Sequence, residues 1–163
     1  MSITHKICII PQSAWGNNLR SYLTQSGWDK VRRKCYAEHD HKCQICGGQG
    51  GNGRKHPIEC HEDWEFKDGE VVLKGLMSLC PPCHEFHHPG LASTNGHTNR
   101  MIKQFMKVNN ISRDEAVDYF KREFAIWRER SKKPWSLNID YLYEYMGADF
   151  KFKRPQEEED DAY

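Results

Sequence analysis

No stretch of this sequence stays apolar for the ~20 residues that a membrane helix needs, so no transmembrane span is expected. The opening run HKICII is too short for a secretory leader, and Pro11 interrupts it. Without a leader, the seven cysteines are expected as thiols or metal ligands in a reducing compartment, the cytoplasm, rather than as disulfides. Internal repeats are lacking too, and 163 residues are expected to form one domain with terminal extensions. The glycine-rich stretch 47–55 lacks the Gly-Lys-Ser/Thr ending of a phosphate-cradling loop, which excludes nucleotide binding of that kind.

Net charge is also nearly absent, at +1. That balance hides a segregation. Residues 157–161 read EEEDD, and without those five charges the rest of the chain carries +6. The acidic run is expected as a solvated, disordered tail, or as a mask that competes with nucleic acid for a basic face. Lys30, Arg32, Arg33 and Lys34 crowd one side of a helical pattern whose other side holds Trp28, Val31, Cys35 and Tyr36. Arg32 and Arg33, with Arg54 and Lys55 in the glycine-rich loop, are the candidate phosphate contacts. A plain solvated helix face is the competing reading of the first group.

What the sequence does have is a dense central block. Residues 58–66 predict a strand, Asp68-Gly69 a two-residue hairpin turn, and residues 70–74 the return strand. Next come Cys80-Pro81-Pro82-Cys83-His84 and then His88, which a single helix would place one turn after His84. Upstream, Cys43-Gln44-Ile45-Cys46 supplies a second Cys-x-x-Cys. Paired spacings of this kind bring two thiolates from each tight turn to one tetrahedral ion, so Cys43, Cys46, Cys80 and Cys83 predict a structural zinc. Cys8 and Cys35 are expected to be buried, and Cys60 is ambiguous.

Around this block the pattern is mostly helical. Residues 3–10 predict a short strand, and a helix is expected to end near Gly27 before the 28–39 helix. Pro89-Gly90 is expected to break the chain. Met101, Ile102, Phe105 and Met106 mark one helix, and the capping box Ser112 to Glu115 opens another that runs to about residue 130. In it, Val117, Phe120, Phe124 and Trp127 form a stripe that reads as core. Ser136 is expected to cap a last short helix. The fold class is α+β. Its expected organisation is a segment over 1–40, a zinc-stapled core over 41–92, a helical part over 93–150 and a tail over 151–163.

The block from Cys43 to His88 resembles the HNH endonucleases, the His-Me finger or ββα-metal nucleases, in their four-cysteine zinc variety. The resemblance implies that His84 and His88 bind a catalytic divalent ion (Mg2+, Mn2+, Ni2+ or Zn2+). It also implies that the strand carries a metal ligand followed by a general base. Two registers fit Glu59-Cys60-His61-Glu62. In one, Cys60 takes the ligand position and His61 is the base; in the other, His61 is the ligand and Glu62 the base. The near-neutral titration of imidazole favours His61 as base. Glu59 is expected to orient a histidine or water, and His87 to point away from the ion. The family's middle Asn is Gly75 here, which speaks against high activity.

The implied activity is hydrolysis of DNA, most simply duplex DNA, with a homodimer or larger protein complex as possible partners and no membrane. The alternative is a zinc-stabilised nucleic-acid-binding or interaction subunit whose nuclease site has decayed.

Overall fold

The computed structural model describes residues 3–14, 19–48 and 58–151. The expected contacts Arg54 and Lys55, the acidic run and Trp15 lie outside the described residues. The described chain is mixed α and β: a three-stranded sheet of order β1-β2-β3 and six α-helices.

The sheet is built on the hairpin of β1 (Glu59–Lys67) and β2 (Glu70–Leu79). Asp68 and Gly69 both have positive φ, 51° and 77°, the primed-turn geometry that matches strand twist. The return strand is longer than residues 70–74. Gly75 does not end it but sits beside a bulge, where pairing passes from Asp63–Gly75 to Trp64–Leu73 and Lys74 is skipped. Beyond the bulge, β2 continues to Leu79.

Side chains from the two faces of the hairpin go to different cores. Cys60, Leu73 and Leu76 pack with Trp28, Val31 and Cys35 of α1 (Gln25–Glu38) and with Leu142 of α6 (Tyr141–Met146). The other core joins Leu79 and Phe86 to Phe105 of α4 (Thr98–Asn109) and to Tyr119 and Phe120 of α5 (Arg113–Arg130). Phe105 is fully buried there, with the Phe86, Tyr119 and Phe120 ring centroids 4.8–5.3 Å from its own. The Ser112 capping box forms as its spacing predicts.

Four expectations fail locally, each for a visible reason. Residues 3–10 are extended but join no sheet, because side chains of the C-terminal helices take up their backbone groups. His5 N–H donates to Asn109 Oδ1 at 2.8 Å, Ile7 N–H to the Tyr119 hydroxyl at 2.9 Å, and Trp127 Nε1–H to Ile10 carbonyl at 3.0 Å. Gly27 ends no helix. It lies in the first turn of α1, where its N–H donates to the Thr24 cap at 3.0 Å.

Pro89 does not break the chain but occupies the first turn of α3 (Pro89–Thr94), where a missing N–H costs nothing. Ser136 caps no helix either. It begins β3 (Ser136–Asn138), which pairs parallel with Glu70–Val72 of β2, and α6 starts only at Tyr141. The free edge of β2 outweighs the local helix signal.

Candidate metal centres and active site

The first cluster is made of sulfur. The Sγ atoms of Cys43, Cys46, Cys80 and Cys83 all lie within 4.8 Å of one another, and Cys46 and Cys80 are 3.5 Å apart. Four sulfurs at ~2.3 Å from a tetrahedral zinc would be ~3.8 Å apart, so the four thiols are positioned to bind a metal ion, consistent with structural zinc. Cys43 accepts from the thiols of Cys80 and Cys83, which holds it far below the ordinary thiol range. The same contact to Cys43 pushes Cys80 up to about 12 and raises Cys83. A divalent cation would displace the protons that the thiols carry.

The sequence folds this way because each knuckle is stitched to the sheet. Gly47 adopts φ 75° and its N–H donates to Cys43 carbonyl at 2.9 Å. Gln44 and Ser78 bond reciprocally: Gln44 N–H to Ser78 carbonyl at 2.8 Å, and Ser78 N–H to Gln44 Oε1 at 2.6 Å. Ser78 is fully buried, and its hydroxyl donates to Lys42 carbonyl at 3.0 Å. Cys80 then caps α2 (Pro81–Glu85), so the same sulfur cluster ties the end of β2 to the helix bearing His84. Gln104 Nε2 donates to Cys83 Sγ at 3.2 Å, offsetting thiolate charge from a neighbouring helix.

The second cluster is made of imidazoles. His61, His84 and His88 each offer a ring nitrogen within 4.8 Å of the other two. Glu59 and His61 are two apart on β1 and so share a strand face. The Glu59 carboxylate accepts from His84 Nδ1–H, which fixes that tautomer and leaves Nε2 with a lone pair, 3.0 Å from His88 Nε2. His61 is 7% exposed, and its Nδ1 is buried without a hydrogen-bond partner. Burial holds His61 well below the usual imidazole range and brings His88 down to about 4. Neutral imidazoles with free lone pairs are the state that metal ligation needs, and an orphaned buried nitrogen fits the same use.

His88 arrives by a route that helical spacing did not predict. α2 stops at Glu85, and His88 precedes Pro89, which moves it off helical geometry to φ −122°, ψ 62°. Two tight turns, His87 N–H to His84 carbonyl at 3.1 Å and His88 N–H to Glu85 carbonyl at 3.0 Å, bring its ring back to His84.

His87 stays outside the three-imidazole cluster, as expected, yet it is buried and not a surface residue. Its ring packs 4.4 Å from that of His61 and 4.8 Å from Phe86, and burial lowers it to about 3. Nothing in its sequence neighbourhood distinguishes this position from a surface histidine.

Cys60 cannot serve as the strand ligand of the first register. It pairs with Ser78 and faces α1, where it contacts Cys35, away from His61. Glu62 follows His61 and borders the same two cavities. One, of about 500 Å³, mixes Lys6, Lys74 and Arg130 with Glu62, Asp63, Glu65 and Glu123. The other, of about 580 Å³, is mainly apolar and reaches Phe124 and Trp127, so the outer end of the α5 stripe is cavity wall rather than sealed core.

The basic side of α1 is elsewhere. None of Lys30, Arg32, Arg33 and Lys34 borders either cavity. Arg32 Nε is 2.8 Å from Asp29, and Lys34 is held by the Tyr145 carbonyl and ring. Among the described residues no helix is long and apolar enough to cross a membrane. Compared with protein-family models, curated proteins and solved structures, the chain matches none.

Proposed function

We propose that this protein is a metal-dependent endonuclease of HNH type that hydrolyses DNA phosphodiester bonds. The observation that carries the reading is the meeting of three imidazoles, from residues 61, 84 and 88, at a hairpin–helix junction beside a four-sulfur cluster. His61, His84 and His88 would hold one divalent ion. When bound, that ion supplies Lewis-acid polarisation of a phosphoryl oxygen and a partner for the departing oxygen.

The chain's own residues do the rest. Glu59 orients His84 through Nδ1. Glu62, next along β1, takes the proton of the attacking water as the new P–O bond forms and the bond to the 3′ oxygen breaks. The family resemblance implies 5′-phosphate and 3′-hydroxyl ends. Cys60 is committed to the opposite core, which leaves His61 as the strand's ligand, and Glu62, which borders both cavities beside His61, as the base of the second register. The four thiols serve as a closed structural zinc site with no position left for substrate.

Gly75 and Glu62, standing where the family has Asn and a second histidine, favour a second reading: a zinc-stabilised nucleic-acid-binding subunit without activity. Nicking of supercoiled plasmid across Mg2+, Mn2+, Ni2+ and Zn2+ separates the two. Metal-dependent nicking that His61→Ala abolishes supports the enzyme. Binding with no nicking in any metal supports the subunit.

A further inference from the structure

We propose that the apolar cavity beside His61 receives one unstacked nucleobase, so that the preferred substrate is single-stranded or frayed nucleic acid rather than continuous duplex. The inference rests on the nucleic-acid reading of the same site and narrows its substrate class.

The cavity, of about 580 Å³, has His61, His88, Phe124 and Trp127 in its lining. That is room for a flat ring system, at the scale of ordinary small-molecule pockets. Phe124 and Trp127 stand 6.2 Å apart and nearly perpendicular, at 82°, and both are only half-buried. Among the described residues of the lining, Glu62 is the sole charged one apart from histidines. A phosphate entering here would find no lysine or arginine among them to pair with, and a carboxylate to repel it. The part of a nucleic acid that suits the space is therefore its uncharged, planar part. Aromatic side chains stack on any base, because every base has a π-face.

Geometry then selects the substrate. A base inside a duplex has both faces covered by its neighbours and cannot reach a recessed ring. Leu91 is 63% exposed on α3, the most exposed large apolar side chain among the described residues. It borders this cavity and also a smaller one of about 240 Å³ on the far side of the His84–His88 pair. A strand laid across those two histidines would meet Leu91, and apolar side chains in such positions wedge between base steps.

The test compares binding of two strands of equal length and charge by the full zinc-replete chain, without added Mg2+ or Mn2+. One is an oligothymidylate of ~12 nucleotides; the other is its fully abasic counterpart. The expected result is binding of the oligothymidylate at least about 10-fold tighter than of the abasic strand, and tighter than of a blunt duplex. Phe124→Ala should remove most of that difference while leaving the abasic affinity unchanged. Leu91→Ala, at an exposed position that threatens no core, should weaken the oligothymidylate by about threefold.

Equal affinity for thymidylate and abasic strands, or no binding of either, overturns the proposal. Plasmid nicking in Mn2+ is scored separately. Base-dependent binding without nicking removes the hydrolase reading and keeps the cavity assignment. Nicking without base dependence does the reverse.

Discussion

Glu59 and His84 are twenty-five residues apart in sequence, yet the carboxylate of one accepts the Nδ1–H of the other. That single bond determines which nitrogen of His84 faces His88. A carboxylate behind a metal-facing imidazole both orients the ring and raises its basicity. Glu59→Gln removes the charge while keeping the shape. Affinity of the three-histidine site for Co2+ or Ni2+, titrated calorimetrically with the sulfur site filled by zinc, should fall about 10- to 100-fold. An unchanged affinity would show that Glu59 plays no part in ligation.

The sulfur cluster predicts a large effect on stability. Zinc binding in small domains contributes free energy comparable to folding itself. Cys80 joins the end of β2 to α2, so Cys80→Ser should lower the thermal midpoint by more than about 10 °C and reduce bound zinc to well below one per chain. A melt and a zinc content matching the parent would remove the structural role.

Stability should also fall at alkaline pH through the contact of the N-terminal segment with α5. Burial pushes the Cys8 thiol from 9.0 up to about 11, and burial likewise takes the Tyr119 hydroxyl from 10.0 to about 12. Both folded values lie above the unfolded ones. The contribution is therefore whole below pH 9 and is lost as pH rises through about 11, because the unfolded chain releases these protons first. Urea denaturation at intervals from pH 8 to pH 11 should show the decline, and Cys8→Ala should flatten its first part. A parent curve that is flat across this range would contradict it.

Gly75 offers a constructive test. It sits at the β2 bulge with a φ that is not positive, and a Cβ there would meet nothing within 4 Å. Gly75→Asn should therefore fold with stability within about 0.5 kcal/mol of the parent, or slightly above it, since strand glycine is unfavourable. If the HNH likeness extends to function, nicking should rise. A sharp loss of stability would mean that the bulge needs glycine for a reason its surroundings do not display.

Chemistry carried by fixed spacing was legible in the sequence. Two Cys-x-x-Cys pairs, the Asp68-Gly69 turn and the Ser112 capping box depend on local patterns that tertiary packing had only to bring together. The grouping of His61, His84 and His88 was implied by the resemblance, and His88 joins it through a turn, not through helical spacing. What was not legible depended on partners far along the chain. Residues 3–10 look like a strand, yet Asn109, Tyr119 and Trp127 occupy their backbone groups. Ser136 looks like a cap, yet the edge of β2 recruits it. His87 carries no signal that distinguishes it from its neighbours, and only the turn after Glu85 packs it on His61. Phe124 and Trp127 read as core, because a periodic apolar stripe looks the same whether it closes on a partner or walls a cavity.

The most direct test combines metal content with strand cleavage in three proteins: the parent, His61→Ala and Glu62→Gln. The parent is expected to hold two metal sites and to nick in a metal-dependent way. His61→Ala should lose the second site and nicking while retaining the zinc, and Glu62→Gln should lose nicking with both sites retained. Full nicking by His61→Ala, or a parent that binds only the one zinc and never cuts, would contradict the proposed function.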